Sequence, residues 1–154
     1  MSKHIYSNMH RQFKSFELLL SLLEEEYGLL GERNIEAITT LEFSIHELLR
    51  QLAVERIDLK AELHGTKLLE YADMLPDDEA DELRKLFWLV DSLEQRASRQ
   101  ASLNAEFSLV LMDQSQTLLT FLHDQITPRH TVTYGAGGRL RETRPGATLF
   151  SGRM

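Results

Sequence analysis

The sequence contains no cysteine, which excludes disulfides and thiolate metal sites and is compatible with a cytoplasmic home. It has three prolines, Pro76, Pro128 and Pro145, so two long stretches run without a helix breaker. Five of its eight glycines lie beyond Pro128. No apolar run approaches the roughly 18 residues of a membrane span, and no signal-peptide core opens the chain, so no membrane insertion is expected. Catalytic and metal patterns are missing as well. No two of the six histidines have His-x-x-x-His spacing, and no Glu-x-x-His occurs. Glu42 and His46 form a lone i,i+4 pair, the spacing of a surface contact. Tyr134-Gly135-Ala136-Gly137-Gly138 lacks the Lys-Ser/Thr that would make it a phosphate loop. These absences favour a binding protein with no cofactor and no metal over an enzyme.

Charge is unevenly placed. Residues 1–126 hold 12 Lys and Arg against 23 Asp and Glu, a net of −11, and residues 127–154 hold five Arg against one Glu, a net of +4. An acidic body repels nucleic acid, so no nucleic-acid partner is expected.

What is present is helical periodicity. Every seventh residue from Leu83 gives Leu83, Val90, Ala97, Asn104, Leu111 and Leu118; three residues on runs Leu86, Leu93, Gln100, Phe107, Gln114 and Phe121. This repeat, uninterrupted by proline or glycine, predicts one long helix from Asp77 to about Gln125, roughly 73 Å at 1.5 Å per residue. Asp77 is the expected N-cap and Pro128 the stop. Apolar side chains crowd both ends; the middle has only Ala97, Ala101, Leu103 and Ala105, which reads as a tightly packed waist or a bend.

A first helix begins at Ser2 or Ser7, carries the stripe Ile5, Met9, Phe13, Phe16, Leu20, Leu23, Tyr27 and Leu30, and is expected to end at Gly31. A second begins after Asn34 with Ile38, Leu41, Ile45, Leu48, Leu52, Leu59 and Leu63 on one seam; it breaks or kinks at Gly65, and Leu68, Leu69, Ala72 and Leu75 continue an apolar face as more helix before Pro76. Arg56 stands on that seam, either with its stem packed and its head in solvent or on Glu55, or as a buried polar device fixing register. The fold expected is all-α: an elongated antiparallel three-helix coiled-coil-like bundle over residues 1–126, with a long third helix and a flexible, basic, glycine-containing tail over 127–154. Laid against the third helix, the first two leave the Phe87–Trp88 end and the stretch from Leu118 to Ile126 under-covered. Leu111, Leu118, Phe121, Leu122 and Ile126 are therefore the candidate partner-binding face. A structural coiled coil or oligomeric adaptor, in which such faces join copies of the chain into a homo-oligomer, is the competing reading.

The run Arg56-Ile57-Asp58-Leu59-Lys60-Ala61-Glu62-Leu63-His64-Gly65, the Leu103-Asn104 pair, an apolar helix end, a proline and Tyr134-Gly135-Ala136-Gly137-Gly138 follow one another in an order that resembles the flagellar export chaperones of the FlgN type. The likeness covers roughly residues 13–140, and the tail motif is its most specific part. The chain departs from the family where Phe107 replaces a frequent second Asn and Gly137 a usual Asp. The resemblance implies a cytoplasmic, non-enzymatic chaperone. Such a chaperone would bind the C-terminal segments of hook–filament junction proteins and deliver them to the export gate and the export ATPase complex. It also implies that Tyr134, with Gly135 and Gly138, docks on the gate.

Overall fold

The computed structural model describes residues 2–126, 133–134 and 140–141. Among these described residues are four helices, α1 (Ser2–Glu32), α2 (Ile35–Glu62), α3 (Leu68–Asp73) and α4 (Asp77–Ile126), and two short strands, β1 (Thr133–Tyr134) and β2 (Leu140–Arg141). The chain divides into two compact units, Met1–Ser108 and Leu109–Met154.

The first unit is a helical assembly with one apolar core. Ile5, Met9, Phe16 and Leu23 of α1 join Ile45, Leu48 and Leu52 of α2 and Leu83, Leu86, Val90 and Ala97 of α4. Cross-helix bonds give the directions. Near the start of α1, Asn8 and Arg11 both reach Glu55 near the end of α2, so these two helices run in opposite senses. Arg56 of α2 bonds Glu94 of α4, and its guanidinium lies 5.4 Å from the centre of the Phe16 ring. Further along, Asn104 of α4 donates to the Leu23 carbonyl at 2.8 Å, and Phe107 meets Tyr27 with ring centres 5.2 Å apart. Contacts therefore advance together along α1 and α4.

Four sequence expectations need correction. The break at Gly65 with more helix after it is as expected, but it makes four helices rather than three: α2 stops at Glu62 because His64 and Gly65 take left-handed φ of 50° and 86°, and α3 forms after that turn. Leu68 and the fully buried Ala72 of α3 cover this end of the core. Second, α1 does not end at Gly31. Arg33 takes the left-handed position at φ 55°. Asn34 N–H then reaches the Leu29 carbonyl and Arg33 N–H the Leu30 carbonyl, the two bonds of a Schellman cap. Third, Asp77 is the first helical residue rather than the cap, since the Pro76 carbonyl already accepts Ala80 N–H at 2.9 Å. Fourth, Arg56 turns to Glu94 rather than Glu55, because Glu55 is taken by Asn8 and Arg11. The Asn34 cap is as expected, its side chain accepting Ala37 N–H at 3.2 Å. In the middle of α4, Ala97 alone of the three alanines is buried; Ala101 and Ala105 are exposed.

Candidate partner-binding face

The heptad series of α4 changes character along its length. Leu83, Val90, Ala97 and Asn104 are buried. Leu111 is half-buried, and Leu118 is 54% exposed. The companion series does the same, from buried Leu86 through half-buried Leu93, Gln100 and Phe107 to exposed Gln114 and Phe121. From Leu109 to Ile126 no residue is buried.

This last stretch is amphipathic by itself. At about 100° per residue, Leu111, Leu118 and Leu122 fall within about 40° of one another around the axis, with Phe121 on one flank and Ile126 on the other. Asp113, Thr117, Thr120 and Asp124 occupy the opposite side. Phe121 is 56% and Ile126 81% exposed. The five residues singled out in the sequence thus share one broad helix face, and four of the five are exposed. Val110, Met112 and Leu119 widen the apolar arc and are exposed too, a signal the sequence carried outside the strict heptad positions. An uncovered apolar arc of this kind is the ordinary chemistry of a surface that another apolar surface covers. At the other under-covered place, Trp88 is exposed and packs edge-on against half-buried Phe87.

Tyr134 lies in β1, which pairs antiparallel with β2 so that Tyr134 stands opposite Leu140 and Thr133 opposite Arg141. Gly135 and Gly138 lie outside the described residues.

Other surface features have local explanations. A groove of about 390 Å³ between α1 and α2 is lined by His10, Arg11, Lys14 and Arg50. Three of its cations are already paired, Arg11 with Glu55, Lys14 with Glu17 and Arg50 with Glu47, so it offers an anion little unspent charge. His46 and Glu42 sit 3.4 Å apart at the surface. Among the described residues no three His, Asp or Glu side chains gather into a metal-holding group, and no helix is long and apolar enough to cross a membrane.

The buried polar residues were not legible in the helix pattern. Asn8, Gln12, Glu26 and Asn104 are each at least nine-tenths buried. Asn104 alone fell on a heptad position that the sequence marked.

In comparisons with known proteins, a family model described as FlgN protein matches residues 1–142. No curated protein and no solved structure matches the chain.

Proposed function

The chain belongs to the FlgN family of flagellar export chaperones, and from that premise we propose that it acts in the cytoplasm on the hook–filament junction proteins. In this reading it binds their C-terminal helical segments, keeps them unassembled and delivers them to the export gate and its ATPase complex. The observation that carries the proposal is the exposed apolar side of residues 109–126. Leu111, Leu118, Phe121, Leu122 and Ile126 form the contact surface, on which an amphipathic cargo helix lays its own apolar stripe. The long helices α1, α2 and α4, taken as an up-down-up bundle, are the scaffold.

The test is calorimetric titration of the full chain with a peptide spanning the C-terminal helical segment of a junction protein. Saturable binding with a negative heat-capacity change is expected, the mark of apolar burial. Absence of binding, together with a concentration-dependent mass showing copies joined through residues 109–126, would favour the oligomeric adaptor instead.

Delivery is assigned to the tail. Tyr134, with Gly135 and Gly138, is the docking element for the gate and works separately from cargo binding. A tyrosine presents apolar ring area and one hydroxyl at small entropic cost. Tyr134→Ala is expected to leave helix content, melting temperature and cargo affinity unchanged while lowering gate binding and export. A markedly lower melting temperature would assign the ring to the fold rather than to docking.

A further inference from the structure

Among the described residues, three of the four buried polar side chains leave no buried atom without a partner. Asn8 Nδ2 donates to the Glu55 carbonyl at 2.9 Å and to its carboxylate at 2.8 Å, and Gln12 Nε2 donates to Asn8 Oδ1 at 2.7 Å. Asn104 Nδ2 donates to the Leu23 carbonyl at 2.8 Å and to Glu26 Oε1 at 3.0 Å, while Gln100 Nε2 donates to Asn104 Oδ1 at 3.0 Å. Glu26 is the exception. It is 7% exposed, and its Oε2 is buried with no donor. The group it meets from α2 is another carboxyl, that of Glu42.

Two ionised carboxylates so placed would be acceptor against acceptor, with one oxygen stripped of water and left unbonded. One proton between them converts the clash into a donor–acceptor bond and removes half the charge. We propose that a proton shared between Glu26 and Glu42 is a structural component of this protein. It completes a clasp, Glu42–Glu26–Asn104, that ties α2, α1 and α4 together at the last buried position of α4, and ionisation of the pair opens it.

The surroundings fit that assignment. From α4 the clasp meets the uncharged amides of Asn104 and, behind it, Gln100. From α2 it meets Glu42 and, one turn on, His46, whose positive charge when protonated favours the ionised carboxylate. Burial first, and then the bond with Glu42, push the Glu26 carboxyl up to about 7 against the opposing pull of Asn104. The sign follows from proton counts. A free glutamate titrates near about 4.3, so between there and about 7 the folded chain holds a proton that the unfolded chain has lost. The clasp's contribution is full at the acidic end of this window, falls as pH rises through it, and is gone above about 7.

The experiment is thermal unfolding of the full chain at several values between about pH 5 and pH 8.5, for the wild type, E26Q, H46Q and the double variant. In E26Q an amide can donate to Glu42 where the proton stood, while the side-chain oxygen still accepts from Asn104. The wild type is expected to decline in melting temperature between about pH 5 and 7, and E26Q to lose that decline and to melt above the wild type at about pH 8. The difference between E26Q and wild type should survive in the H46Q background, which removes the neighbouring histidine. Equal pH slopes, or E26Q melting below the wild type at pH 8, would overturn the proposal. Should E26Q not fold, carbon-13 titration of the wild-type Glu26 carboxyl decides: a midpoint near 7 supports the clasp, and one near 4.3 sinks it.

Discussion

Replacing Phe121 and Leu122 together by alanine is expected to weaken binding of a junction-protein C-terminal peptide by about 10- to 100-fold, with the stability of the chain nearly unchanged. Both halves of this expectation rest on exposure. In the free chain Phe121 is 56% and Leu122 44% exposed, so shortening them removes little buried contact. Exposed substitutions of this kind stay within about 0.5 kcal/mol, and alanine is at least as good a helix former as either residue. In a complex, an aromatic and a neighbouring leucine on an apolar face are the usual anchors. Truncating anchors costs from about 1 to a few kcal/mol, each 1.4 kcal/mol being tenfold in affinity. Titration of the folded double variant checks it. Unchanged affinity would move the cargo site elsewhere, with the Phe87–Trp88 region of α4 the next place to look.

Most of the helical framework was legible in the sequence because long, unbroken periodicity is a strong signal. The range of α4 follows from a repeat bounded by Pro76 and Pro128, and the Asn34 cap from a side chain that satisfies an otherwise orphaned N–H. What stayed hidden has particular causes. Gly31 drew the end of α1 two residues early, because a glycine near a helix end is the default left-handed residue, yet Arg33 takes that position. For Arg56 the sequence offers solvent, its chain neighbour Glu55 or a buried register role, whereas its partner Glu94 is far along the sequence on another helix. Glu26 was invisible for a related reason. In a stripe of Leu23, Tyr27 and Leu30 a glutamate reads as the solvent side. Only the approach of Glu42 and Asn104 from two other helices shows that it is buried. Tyr27, placed in that stripe by its spacing, is instead 44% exposed and leans on Phe107. That Leu111, Leu118 and Phe121 continue the helix's heptad was legible in the sequence, with Leu122 and Ile126 beside them, but the repeat alone does not say where burial ends.

That last point has a direct test in two substitutions that the sequence cannot tell apart. Leu83 and Leu118 belong to the same heptad series of the same helix, and each can be changed to alanine with the same loss of side chain. Leu83 is 3% exposed, within the cluster that joins α1, α2 and α4. Leu83→Ala therefore removes buried methyl groups and leaves a cavity that surrounding helices fill only in part. The expected loss is about 2–5 kcal/mol, a large share of the roughly 5–15 kcal/mol that holds a domain together. Leu118 is 54% exposed, so Leu118→Ala forfeits little burial, and alanine's helix propensity offsets part of what is lost. Its expected effect is within about 0.5 kcal/mol. Urea unfolding followed by helical circular dichroism reads both, the midpoint moving strongly for the first variant and hardly at all for the second. In the presence of saturating cargo peptide the order of effects should narrow. Leu118→Ala then loses some of the stabilisation that binding confers, whereas Leu83→Ala keeps its full deficit. Equal losses without peptide would mean that Leu118 is covered in the free chain, and the face from Leu111 to Ile126 would then belong to the fold or to a second copy rather than to cargo.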